Sequence, residues 1–236
     1  MLNVPVDLAS NLMRVTDEIA EAAVRAGRKP DEITLVGVSK TQPAEMLADA
    51  VRAGLRHLGE NRVQEADEKF PRVRELLEGV EPPVFHMVGH LQTNKAGLAV
   101  ELFDRIDSVD SLKLAQALAR RVPMREELPI LVEVYVGDDA SRPGVRVSGL
   151  IDVVGAILEV PRIRVLGLMT VAPLGGNSRD AFAQVRKQKE ILSATFPAVH
   201  FRVLSMGMSD DYREAISEGS TEVRIGTALF GPRNLR

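Results

Sequence analysis

TEVRIGTALFG, residues 221–231, sets apolar Val223 and Ile225 between polar neighbours and then runs out of chain, with only Pro232 to Arg236 behind it. The pattern predicts a strand with no helix after it. Every earlier apolar run is followed by a helical pattern. ITLVGV (33–38) precedes a helix opened by Pro43, with Met46, Leu47, Ala50 and Val51 on one face and Gly54 as its stop. RHLGEN (56–61), VFHMVGH (84–90) and RIDSV (105–109) precede helices over 63–79, 91–103 and 111–122. LPILVEVYV (128–136), IRVLGLMTV (163–171) and FRVLSMGMS (201–209) precede helices over 147–160, 179–195 and 210–219. TEVRIGTALFG is the eighth strand.

Strands alternating with helices imply right-handed crossovers and a parallel sheet. Eight such units in 236 residues favour a closed (β/α)8 TIM barrel over an open doubly wound sheet. The absent eighth helix leaves a gap in the outer ring. Leu12, Val15, Ile19, Ala22, Ala23 and Ala26 recur at helical spacing ahead of Gly27, so an extra amino-terminal helix can fill it. No linker or low-complexity tract interrupts the chain, and residues 1–236 read as a single domain.

Composition narrows the function. The net charge is -3, and aromatics make up 4% of the chain without any basic stripe, which argues against a nucleic-acid binder. There is no cysteine, so disulfides and thiolate metal sites are excluded. The start, MLNVPVDLASNLMRV, lacks the features of a signal peptide, and no apolar run has the length of a membrane span. A soluble cytoplasmic protein is expected.

In a barrel of this kind the working face lies at the carboxyl ends of the strands. Lys40 sits there. Strand alternation gives Thr34, Val36, Val38 and Lys40 one face, so the lysine points over the barrel mouth if the valines fill the interior. By position alone it reads more readily as a solvated lysine before a helix. Strands 7 and 8 end in LSMGMSDD (204–211) and RIGTALFG (224–231), the loops where this fold holds a phosphate. Ser205, Gly207, Gly226 and Thr227 suit that task, with N-capping by Ser209 or Asp210 as the bland alternative. Arg224 shares a strand face with Gly226 and is buried there unless a ligand or an acid such as Glu222 pairs with it. A lysine, a phosphate cradle and an arginine together suit an aldehyde that carries a phosphate and a ring acceptor, and pyridoxal 5'-phosphate has all three features.

VGVSKTQP, HLGENRVQEADEK, FHMVGHLQTNK, LGLMTVAP and LSMGMSDDYREAISEGSTEVRIGTALFG resemble, in order and spacing, the pyridoxal phosphate homeostasis protein family. The resemblance spans essentially the whole chain. It implies a barrel similar to the amino-terminal domain of alanine racemase that binds the cofactor as an aldimine on Lys40 and buffers or delivers it within the cell. It further implies that Ser205, Gly226 and Thr227 hold the phosphate, that Arg224 faces the pyridine nitrogen, and that Asn61, His86 and Met206 form the wall. Implied partners are pyridoxal phosphate itself and the apoenzymes that depend on it, with the chain a monomer. One departure lies after strand 5. Family members often carry a Glu and a Lys there, whereas this chain reads VGDDASRPGV and leaves the basic role to Arg142.

The expectation is a carrier and not an enzyme, because a guanidinium cannot protonate the pyridine nitrogen and the sequence has no second domain to supply a racemase's second base. The alternative is a pyridoxal phosphate-dependent, racemase-like enzyme. GHLQTNKAG (89–97) lacks the glycine and the hydroxyl residue of a phosphate-binding P-loop. His86 and His90, four apart along a strand, stand about 13 Å from each other, so no metal site is expected.

Overall fold

A computed structural model describes residues 7–137, 139, 141–173 and 175–231. The chain's start and end, on which the expectations about a leader and a missing last helix partly rest, lie outside the described residues, as do Asp138 and Ala140 of the loop after strand 5.

Eight parallel strands close on themselves: β1 (Thr34–Val38), β2 (His57–Glu60), β3 (Val84–Met87), β4 (Arg105–Val109), β5 (Leu128–Tyr135), β6 (Ile163–Met169), β7 (Val203–Ser205) and β8 (Glu222–Ile225). The expected barrel is the observed one. Closure is made by β8 on β1, with Thr34 opposite Glu222 and Val36 opposite Arg224. A two-residue strand, Val145–Arg146, pairs in parallel with the end of β5, opposite Val134 and Tyr135.

The outer layer follows from helical periodicity. In α1 (Leu8–Arg25), Val15, Ile19, Ala22 and Ala23 are buried at the spacing of one face, and Asp7 caps the first turn by accepting from the Ser10 N–H. Around the ring come α2 (Ala44–Arg52), α3 (Val63–Leu76), α4 (Ala96–Leu102), α5 (Leu112–Ala119), α6 (Leu150–Leu158), α7 (Ser178–Thr195) and α8 (Tyr212–Ser217). α1 contacts both α8 and α2 and so fills the gap in the ring. Between barrel and helices, Phe70 of α3 stacks on Phe85 with ring centroids 4.2 Å apart and meets Phe103 edge-on at 5.4 Å.

One expectation needs correction. TEVRIGTALFG is not strand throughout: pairing ends at Ile225, and Thr227–Phe230 form a one-turn helix, α9. The cause is packing. Turning at Gly226 lets Leu229 and Phe230 reach the outside of β1, where they crowd the bare Cα of Gly37, and both are buried. Asn11 and Arg14 of α1 donate to the Leu229 and Ala228 carbonyls at 3.1 and 2.8 Å, satisfying oxygens that a helix end leaves open.

The aromatic trio provides a check on this layer. Phe70→Ala is expected to cost about 3 to 5 kcal/mol of stability, from lost burial and the cavity left behind, measured as the shift of the urea unfolding curve.

Candidate functional site

Inside the barrel, polar side chains replace much of the usual aliphatic filling. Nearest the amino ends of the strands, Arg105 crosses the interior from β4 to Glu222 on β8 (2.6 Å) while also holding Asp107 (2.9 Å). Asp107 accepts from His86 Nδ1 at 3.2 Å, and His86 Nε2 lies 2.9 Å from His57 Nδ1. Burial, reinforced by the neighbouring His86, pushes His57 down to about 4, so the ring is neutral at ordinary pH. His86, Asp107 and Glu222 converge closely enough to suggest a cation site, and the cation that binds these carboxylates is Arg105.

One layer higher is Arg224. It is buried, donating to Ser205 Oγ and to the Thr170 carbonyl, each at 2.8 Å. Glu222 is committed to Arg105, and among the described residues no carboxylate lies within ion-pair distance of Arg224. Its charge is balanced at close range only by neutral oxygens, and burial lowers its pKa. Such a guanidinium favours an additional acceptor.

Above Arg224, at the carboxyl ends of the strands, opens a cavity of about 420 Å³, within the range of small-ligand clefts. Lys40, Asn61, Arg224, Gly226 and Thr227 line it, together with Gln42, Val88, Met208, Ser209, Asp210 and Phe230. Two glycines make the walls possible. A Cβ on Gly89 would fall 2.3 Å from the Asn61 carbonyl oxygen, so the bare Cα allows β2 and β3 to bring Asn61 inward. Gly207, at φ 98°, would strike Ala215 and Tyr212 with any side chain, and it turns Met208 and Ser209 over the cavity. Gln42 Oε1, on the wall, is a buried acceptor without a hydrogen-bond partner among the described residues.

Five of the eight residues expected at the site meet around this cavity, and three do not. His86 is a layer too deep, held by His57 and Asp107; the residue of its strand face that reaches the mouth is Val88, two positions on. Ser205 lies beneath the cavity as the partner of Arg224. Met206, on the opposite face of its strand, is part of the hydrophobic core. Gln42 and Ser209 entered the wall without being singled out as ligand contacts. Period-two counting onward from Lys40 reaches Gln42, whereas Ser209 depends on a loop whose course no local pattern specifies.

Residues 11–234 match the family described as alanine racemase, N-terminal domain. The pyridoxal phosphate homeostasis protein of Escherichia coli K12 is 42% identical over 236 residues, covering 97% of both chains. The chain belongs to this family. The Pseudomonas aeruginosa member is 38% identical over 229 residues, covering 96% of both chains. Among solved structures of the same character, PipY of Synechococcus elongatus with pyridoxal phosphate bound is 37% identical, with a TM-score of 0.78 over 90% of this chain and all of that one. The form without the cofactor scores 0.83 at 34% identity, over 95% of this chain and all of that one. Alanine racemase from Corynebacterium glutamicum, at 17% identity and a TM-score of 0.66, shares the fold, and 97% of this chain covers 61% of it.

Another buried acid acts on Arg224. Glu133, near the end of β5, has an Oε2 without a hydrogen-bond partner among the described residues. Burial, with Asp110 adding to it and Arg224 and Arg142 opposing, pushes its carboxyl up to about 7 from 4.5. The folded protein thus keeps a proton that the unfolded chain has released, a contribution present below about 4.5 and lost as pH rises through about 7. Glu133→Gln, which cannot ionise, is expected to gain relative stability as pH rises, by roughly 3 kcal/mol between about pH 5 and pH 8.5. Urea unfolding of both proteins across that range measures it.

Proposed function

We propose that this chain binds pyridoxal 5'-phosphate covalently through Lys40 and buffers or delivers it, without sustained turnover. The carrying observation is the convergence on one cavity of a lysine, an arginine balanced only by neutral oxygens, and the hydroxyl loops after β7 and β8. The donor set suits the cofactor: an amine for the aldehyde, a guanidinium for the ring nitrogen, and short hydroxyls with glycine backbone for the phosphate. The family relationship and the cofactor-bound form of PipY support the same reading.

Lys40 would hold the aldehyde end by condensing through its amine, with loss of the oxygen as water. Thr227 and Gly226 hold the phosphate, with Ser209 beside them. Asn61 and Gln42 border the ring. Ser205, implied as a phosphate ligand by the resemblance, acts instead by aiming Arg224. His86 and Met206 support the barrel beneath and behind the site.

Arg224 bears on the absence of turnover. A guanidinium donates hydrogen bonds and holds no proton to give up at neutral pH, so the ring nitrogen it faces stays unprotonated. The bound cofactor, whose chemistry is to accept electrons from a carbon next to the imine, is then a weak sink. That suits storage. Among the described residues no helix is long and apolar enough to cross a membrane, which is compatible with a cytoplasmic carrier meeting apoenzymes in solution as a monomer.

Added pyridoxal phosphate is expected to give Schiff-base absorption, and borohydride followed by peptide mapping is expected to find the label on Lys40; a label elsewhere overturns the assignment. Thr227→Ala is expected to weaken binding roughly ten- to a hundred-fold, about 1.5 to 3 kcal/mol, through loss of one hydrogen bond to a charged group, as read by spectroscopic titration. Incubation with amino acids in deuterated water distinguishes carrier from enzyme: sustained exchange at the α-carbon marks an enzyme, and its absence a carrier.

A further inference from the structure

Lys40 occupies an unusual turn. The Gln42 N–H donates to the Ser39 carbonyl at 3.1 Å, closing four residues, and Thr41 takes φ 63°. That left-handed region normally belongs to glycine or asparagine, and a β-branched residue enters it only under external constraint. The constraint comes from α3. Lys69 Nζ, in a side chain only 7% exposed, donates to the Ser39 carbonyl at 2.9 Å and to the carboxylates of Glu60 and Glu65. Glu65 accepts from the Thr41 N–H. Glu60, fully buried, also accepts from Ser39 Oγ at 2.5 Å.

The two peptide groups flanking Lys40 are therefore both gripped from one side. The carbonyl preceding it is held by an ammonium, and the N–H following it by a carboxylate. Glu65 and Lys69 are four apart on a helix, a spacing that on an exposed face contributes only a few tenths of a kcal/mol. Here the pair is turned inward against β1 and β2. Burial raises the Glu60 carboxyl, with the Glu65 charge adding to it and Lys69 and Ser39 opposing, so the ammonium is what keeps the two acids tolerable beside the turn. A buried pair of this kind contributes specific geometry more than net stability.

We propose that Lys69 and Glu65 are positioning residues that aim Lys40 over the cavity by fixing the strained Ser39–Gln42 turn. The proposal rests on the reading of Lys40 as the residue that condenses with the aldehyde. Neither residue lines the cavity; they act through the backbone on either side of the lysine. Condensation needs the amine to approach the carbonyl from a narrow range of directions, and a misplacement of about 1 Å costs about a hundred-fold. A turn held by two partners keeps that direction ready before the ligand arrives.

The test uses the full chain with Lys69→Met, Lys69→Arg and Glu65→Ala, each checked for folding by circular dichroism and thermal melting. Amide exchange by mass spectrometry, without cofactor, reads the turn itself. Borohydride trapping of added pyridoxal phosphate reads delivery of the Lys40 amine. Lys69→Met and Glu65→Ala are expected to accelerate exchange of the Thr41 amide and to cut labelling of Lys40, each about tenfold or more, and Lys69→Arg to restore labelling to within about threefold of the parent. Folded Lys69→Met and Glu65→Ala proteins that label Lys40 as fast as the parent overturn the proposal, as does exchange that rises equally across β1 and α3. Should Lys69→Met fail to fold, Glu65→Ala, whose parent side chain is partly exposed, decides alone. A parent chain that takes no label on Lys40 sinks the functional reading; the positioning role is then judged on exchange, and an unchanged Thr41 rate sinks that too.

Discussion

Pairing of β8 with β1 is the contact on which the site depends. It sets Arg224 opposite Val36 and Ile225 opposite Gly37, so the strands carrying the lysine and the arginine end side by side although 184 residues separate Lys40 from Arg224. Closure also pairs the two edges of the sheet with each other. Leu229 and Phe230, folded back over Gly37, lock the joint from outside. α1 ties the same place down through Asn11 and Arg14. First and last elements thus guard one seam.

Charge is layered along the barrel axis. At the bottom, one guanidinium satisfies two carboxylates, and a neutral His57 continues the chain of hydrogen bonds. Taking such groups out of water is costly, and their mutual geometry must be good to offset it. At the top, Arg224 keeps only neutral partners at close range, while Glu133, its carboxyl pushed up to about 7, is neutral through the acid range. The consequence is a guanidinium at the mouth with hydrogen-bonding capacity left for a ligand, above a base whose carboxylates are already engaged by Arg105. Asp107 and Glu222 are spent on Arg105, which leaves Arg224 for the cavity.

Much of this was legible from residue patterns, for reasons that differ by element. Period-two alternation identified the interior face of β1, since a strand has only two faces, while Lys40, two residues past the strand's end, reaches the cavity from the turn that follows. Helical spacing identified α1 and its buried stripe. Counting strands identified the barrel. The same alternation, carried along β3 from Lys40's level, would have separated His86 from Val88, but which residue of a face stands at the mouth depends on strand tilt and stagger, which follow from closure. α9 was missed because TALF is too short to show a helical period and continues the apolar run of β8; the space over Gly37 is what makes it turn. Glu65 and Lys69 carry the spacing of an ordinary surface pair, and nothing local reveals that α3 presents them to the turn around Lys40.

By itself, then, the order of apolar runs determined a parallel eight-fold barrel, an added first helix, and a lysine at its working end, because those properties depend on periodicity and on hydrophobic burial that neighbouring residues share. Tertiary structure decided which polar groups meet. Whether Glu222 would answer Arg224 or Arg105, whether Ser205 would face a ligand or an arginine, and whether Lys69 would meet water or the backbone beside Lys40 are matters of a few ångströms across the barrel. Electrostatic and hydrogen-bond energies change steeply over that distance, and only the closed sheet sets it.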